Sequence, residues 1–114
     1  EARLGNRQEA LRAFHRALEL APDNAGTRVR LAMVQRASGS SRSAAANLEE
    51  GLRQMSGSAR RHPEESRMRY ELGLAYEDLG RNADAVNQWK RALTHVRRPG
   101  ERRAIEEAMN KLRQ

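Results

Sequence analysis

Apolar residues recur along most of this chain every three or four positions, the spacing that places side chains on one face of a helix. The pattern also repeats. Five positions after Gly5, Gly39 and Gly80 stand Ala10, Ala44 and Ala85. Phe14, Leu48 and Trp89 follow at nine positions, Ala17, Gly51 and Ala92 at twelve, and Leu18, Leu52 and Leu93 at thirteen. Small residues beside large ones on one face let a helix nest against its neighbour.

A second stripe precedes two of these glycines. One runs through Leu31, Ala32 and Gln35 to Ser38-Gly39, the other through Leu72, Gly73, Tyr76 and Leu79 to Gly80. A glycine just past the last periodic residue is a helix stop. Pro22, Pro63 and Pro99 each lie ten residues before Ala32, Gly73 and Met109. Each is expected to open a helix, where a missing N–H costs nothing. Glu64, Glu65 and Glu101 suit the positive end of a helix. The reading is six helices, at about 8–20, 26–37, 42–60, 63–79, 83–97 and 101–113, paired antiparallel in an all-α chain.

The two glycine intervals differ, 34 against 41, and the 7 extra residues fall between Leu52 and Pro63. Seven residues make two helical turns. Leu48, Leu52, Met55 and Ala59 keep one face, so the third helix is expected to be extended. Gly57 argues against this, and a seven-residue loop is the alternative.

The segment GNRQEALRAFHRALELAPDN, Gly5 to Asn24, resembles the second half of a tetratricopeptide repeat. ELGLAYEDLGRNADAVNQWKRAL, Glu71 to Leu93, resembles the centre of another. The middle unit departs, with Ala32, Gln35, Leu48 and Gly51 where glycine, tyrosine, an aromatic residue and alanine are usual. The resemblance implies one solenoid domain over 1–114, wound as a right-handed superhelix. Its parts are the second half of a repeat (1–24), a full repeat with an extended second helix (25–62), a second full repeat (63–98) and a terminal capping helix (99–114). The first helix of the first repeat is read as missing from the chain.

The resemblance also implies a non-catalytic scaffold that binds an extended or helical segment of a partner protein on its concave face. Carried over position by position, the groove residues are Val29, Arg30, Met33 and Arg36 in the middle repeat, flanked by Gly26 and Ala37. In the next repeat they are Arg67, Tyr70, Glu71, Leu74, Glu77 and Asp78. On the last helix they are Arg103 and Asn110, with Glu106, Glu107 and Arg113 beside them. Val29, Met33, Tyr70 and Leu74 then form an apolar strip, although side chains at this spacing also suit a core. A subset of the family clamps the acidic C-terminus of chaperones. At the matching positions only Arg103 is basic, and Glu71 and Glu107 would repel a carboxylate, so that ligand is not expected.

Composition adds a second surface. Lys and Arg total 22 against 15 Asp and Glu, a net charge of +7, and the mean hydropathy is −0.94. Arg60, Arg61 and His62 stand before Pro63, and Arg97 and Arg98 before Pro99, with Arg102 close by. These equivalent turns would stack into a basic ridge. It suits an acidic partner, nucleic acid or an anionic membrane as the alternative function. No aromatic residue interleaves the run, which weakens base stacking. Self-association through the exposed face of the helix bearing Leu11, Phe14 and Leu18 is the third possibility.

Catalytic chemistry has little to work with. Cysteine is absent, and His15, His62 and His95 are not spaced as metal ligands. The serines at Ser38, Ser40, Ser41 and Ser43 sit where helices are capped. No glycine-rich phosphate loop occurs. No enzyme activity, cofactor, metal or small-molecule substrate is expected, and no stretch is apolar enough for a membrane span.

Overall fold

The structure is a computed structural model that describes residues 2–57, 62–96 and 98–113, with the side chains of 2–4 excepted. Among these residues it contains six α-helices: α1 (Ala2–Leu20), α2 (Ala25–Ala37), α3 (Ser41–Met55), α4 (Glu65–Asp78), α5 (Asn82–Leu93) and α6 (Pro99–Arg113). Each helix packs on the next. Contacts two steps along the chain join α2 to α4 and α4 to α6, whereas α1, α3 and α5 do not touch one another. The stack is therefore a bent solenoid with α2, α4 and α6 on its inner side.

The turns at Gly39 and Gly80 are copies of each other. Both glycines have positive φ, 82° and 78°, and the residues before them, Ser38 and Leu79, share φ −89° and ψ 3°. A Cβ would be strained in that left-handed region. Gly5 is not a third copy. It lies inside α1, which runs on from Ala2 through a stretch of good helix formers.

Besides the earlier start of α1, at Ala2 and not near 8, other helix boundaries need correction. The extended third helix is absent: α3 ends at Met55, Ser56 turns extended (φ −67°, ψ 138°) and Gly57 has φ 89°. Those angles are the signature of a type II turn, which needs glycine at its third position. Ala59 and the rest of 58–61 lie outside the described residues. Helix α5 stops at Leu93, not near 97. There the Thr94 hydroxyl donates to the Arg91 carbonyl and the His95 N–H to that of Ala92. Only Pro99 opens a helix as expected. Pro22 and Pro63 sit in the preceding turns, and the Asn24 side chain caps α2 by accepting from the Thr27 N–H at 3.0 Å. His62 assists α4 in a similar way, its Nδ1 accepting from the Glu64 N–H.

The core is a thin seam of small and large residues between layers of helix. Trp89, Leu48, Met68 and Leu72 are buried among alanines 32, 44, 75, 85 and 92. The seam depends on glycine where backbones meet side chains closely. A Cβ on Gly73 would lie 2.1 Å from Nε1 of Trp89. The bare backbone of α4 instead lets the indole lie against it, and Nε1–H donates to the Tyr70 carbonyl at 3.1 Å.

Candidate functional site

The inner face is built from α2, α4 and α6, and the predicted groove residues separate on it into three groups. Val29 is only 2% exposed and belongs to the core, so it is withdrawn from the groove. At residue 29 this side of α2 is sealed in the packed seam, and one turn on, at Met33, it is exposed. Glu71, Arg36 and Asp78 form the second group. Arg36 reaches across from α2 and donates from Nε to Asp78 Oδ2 at 2.9 Å, and its Nη1 lies 3.6 Å from Glu71 Oε1. Ser41, at the start of α3, donates to the same Asp78 oxygen at 2.7 Å. The cluster thus ties α2, α3 and α4 together.

Its two carboxylates feel opposite fields. Burial tends to raise Asp78, but the hydrogen bonds from Arg36 and Ser41 outweigh it and hold the group below the usual aspartate range. Burial pushes Glu71 above the usual glutamate range, with Arg36 and Arg67 offsetting only part of the rise. Glu71 is 6% exposed, and its Oε1 has no hydrogen-bond donor.

The third group is accessible. Met33 is 41% exposed, Tyr70 and Leu74 are half-buried against the core, and Glu77 is half-buried. Arg30, Arg67, Arg103 and Asn110 are exposed, as are Glu106, Glu107 and Arg113. Between α4 and α6 lies a cleft of about 320 Å³. Ser66, Arg67, Tyr70 and Glu71 line it from α4, and Ala104 and Ile105 from α6, with Arg98, Gly100 and Glu101 at one end. Ser66 donates to Glu101 Oε2 at 3.1 Å and joins the two helices across that end. Burial, followed by nearby Glu71, Glu107 and Glu77, raises the Tyr70 phenol, with Arg36 opposing.

Of the proposed basic ridge, Arg60, Arg61 and Arg97 lie outside the described residues. His62 and Arg102 are exposed, and Arg98 lines the α4–α6 cleft. Among the described residues no three His, Asp or Glu side chains gather as a metal-binding set, and no helix is long and apolar enough to cross a membrane.

The sequence reading missed Arg28. Its guanidinium is buried, donates from Nε and Nη2 to the Pro22 carbonyl (3.2 and 2.9 Å) and from Nη1 to Asn47 Oδ1 (2.9 Å). Burial depresses its pKa. A signal existed: Arg69 and Gln88 stand 41 residues after Arg28 and Asn47, and Arg69 Nη1 donates to Gln88 Oε1 at 2.8 Å.

Stacked helix pairs with glycine turns and an accessible inner face define a helical-repeat solenoid. Two tetratricopeptide-repeat family models match the chain, one over residues 29–101 and the other over residues 1–24. The chain belongs to the tetratricopeptide repeat family. Repeats of this family generally mediate protein–protein interactions and are typically non-catalytic. No curated protein matches the chain.

Proposed function

We propose that the protein is a docking module in which a segment of a partner protein lies along the inner face of α2, α4 and α6. One observation carries this reading: on the inner helices Met33 is exposed and Tyr70 and Leu74 are only half-buried, with Tyr70 lining the α4–α6 cleft. Tyrosine is a favoured interface anchor, and methionine adapts to varied surfaces. Arg30, Arg67, Arg103 and Asn110 form the polar rim, with Glu77 at its edge. Arg36, Glu71 and Asp78 hold the helices that present Met33, Tyr70 and Leu74.

The test is partner capture with nuclease present, using a photo-crosslinker at Met33 and a Tyr70→Ala/Leu74→Ala variant whose helicity is checked. The expected result is one discrete protein, crosslinked at Met33 and lost with the variant. Capture that collapses with nuclease and ignores the variant would instead favour the basic turns around His62, Arg98 and Arg102.

A second reading, weak self-association, rests on α1. None of its described side chains is buried, Phe14 is half-buried, and Leu20 is 83% exposed. Light scattering is expected to show concentration-dependent association that Leu20→Glu reduces. A pure monomer at high concentration would end this reading.

A further inference from the structure

Two exposed arginines differ from the others by where they stand. Arg67 lies in the first turn of α4 and Arg98 just before α6, and both line the α4–α6 cleft. Among the described residues neither side chain makes a hydrogen bond or an ion pair. The cleft also holds two carboxylates, and both already have a partner. Glu71 is sealed from solvent and ion-paired with Arg36 at 3.6 Å, so Arg67 acts on it only at longer range. Glu101 is half-buried and accepts the Ser66 hydroxyl at 3.1 Å, which ties it to α4. The charges that solvent meets most freely in this cleft are therefore two guanidinium groups.

The junction one repeat earlier is arranged differently. Between α2 and α4, Arg36 is committed to Asp78 at 2.9 Å and to Glu71, and Gly26 takes the place that Arg67 has on α4. The inner face thus closes one junction with its own ion pairs and leaves the cations of the next without an acid.

The walls limit what can enter. The cleft holds about 320 Å³, and its lining includes Tyr70 on α4 and Ala104 and Ile105 on α6. Tyr70 stands on a fixed backbone, because its carbonyl accepts the Trp89 indole N–H at 3.1 Å. Guanidinium forks match a carboxylate, and apolar walls match a methylene stem. A bare inorganic anion would use the arginines and leave those walls uncovered.

Accepting the inner-face docking reading above, we propose that the partner segment places an internal glutamate side chain in the α4–α6 cleft. Its carboxylate bridges Arg67 and Arg98, its stem lies along Tyr70 and Ala104, and a neighbouring apolar residue of the segment covers Leu74. This differs from a clamp on a chain terminus. The anion is a side chain within the segment, and the cations come from one helix position and one inter-repeat turn.

The probes are four short peptides titrated into the ¹⁵N-labelled chain at neutral pH. Acetyl-Leu-Gly-Glu-Gly-Leu-amide carries the internal acid, and its glutamine and lysine counterparts replace it. The glutamine peptide with a free C-terminus moves the carboxylate to the chain end. The glutamate peptide is expected to shift the amides of Arg67, Tyr70, Gly100 and Ala104. It is expected to bind about fivefold tighter than the glutamine amide, a margin that shrinks in high salt. Arg67→Gln and Arg98→Gln, both exposed changes, are each expected to remove much of that preference, whereas Arg42→Gln, the same loss of charge on α3, leaves it unchanged. Equal binding of the glutamate and glutamine amides at these positions would overturn the acid and leave the docking face standing. A preference that Arg42→Gln reduces as much as Arg67→Gln would overturn the seat in the cleft in favour of attraction to net charge. Tighter binding of the free-terminus peptide would overturn the internal side chain, and tighter binding of the lysine peptide would reverse the polarity. If none of the four shifts these amides, the inference fails, and the Met33 crosslinks alone decide the docking reading.

Discussion

The helix pairs α2–α3 and α4–α5 make the same join with different residues. In the second pair Gly73 leaves a notch that the Trp89 indole fills, and the indole N–H finds the Tyr70 carbonyl. In the first pair the corresponding residues are Ala32 and Leu48, both fully buried, with no polar group to satisfy. Volume removed from one partner is returned on the other. The cross-helix hydrogen bond is likewise kept with changed parts. Arg28 meets Asn47, which also donates back to the Arg28 carbonyl at 2.9 Å, and Arg69 meets Gln88. Tyr76 in the second pair bonds Glu49 and lies under the Arg81 guanidinium, 4.2 Å from its ring centre. Its counterpart Gln35 keeps a buried Oε1 with no donor. A repeat fold therefore constrains sums and pairings across a seam more tightly than single residues.

The largest test of this comparison is Trp89→Ala, expected to cost about 4 kcal/mol in urea unfolding because it empties the deepest site of the seam. Gly73→Ala follows at about 3 kcal/mol, since its methyl would overlap an indole held on all sides. Gly73→Ala combined with Trp89→Leu rebuilds the α2–α3 solution. The pair is expected to be more stable than the sum of the single changes by at least about 1 kcal/mol. Strict additivity would show that the two seams are not interchangeable. Gly51 sharpens the point. A Cβ there would lie 2.2 Å from the Met68 terminal methyl, the far end of a flexible though fully buried side chain, and 2.9 Å from Cδ of the hydrogen-bonded Arg28. Gly51→Ala is therefore expected to cost about 1–2 kcal/mol, below Gly73→Ala because the methionine can yield where the indole cannot.

Smaller effects distinguish the polar joins. Asn47→Ala removes two hydrogen bonds and leaves the half-sealed Arg28 guanidinium without its side-chain acceptor, so it is expected to cost about 2 kcal/mol, against about 1 kcal/mol for Gln88→Ala. Equal losses would place the weight on packing instead. The smallest effect is read by pH. Burial and then the Glu49 hydrogen bond push the Tyr76 phenol up to about 12 from the ordinary tyrosine value of 10.0. The unfolded chain loses that proton first, so this group makes stability fall as pH rises from about 10 to about 12. Phenolate absorbance in the folded protein is expected to lag behind that of a denatured sample, and Tyr76→Phe is expected to flatten the stability loss. Superimposed titrations would contradict the hydrogen bond between buried Tyr76 and the Glu49 carboxylate.

Much of this architecture was legible without coordinates. Apolar periodicity gave the six helices, and Gly39 and Gly80 marked their turns, because these signals act within a turn or two of chain. The Gly73–Trp89 match was visible as a motif, since each member keeps its place in the repeat. Boundaries failed where the local signal was divided. Leu48, Leu52 and Met55 favoured continuing α3, but Gly57 supplied a turn conformation closed to other residues. Burial was less accessible still. Val29, Met33, Tyr70 and Glu71 all lie on helix faces that periodicity alone assigns to either groove or core.

The sequence by itself determined that the chain is helical, that its helices pair about glycine turns, and that small and large residues alternate in register. These properties depend on backbone conformation and helix spacing, which neighbouring residues dictate. Tertiary structure alone decided which of the accessible-looking residues remained accessible. It sent Val29 into the seam, committed Arg36 and Asp78 to joining helices, and left a buried Glu71 beside Tyr70 at the cleft. Those outcomes depend on the angle at which α2, α4 and α6 meet, and that angle is set by side chains more than thirty residues apart in the chain.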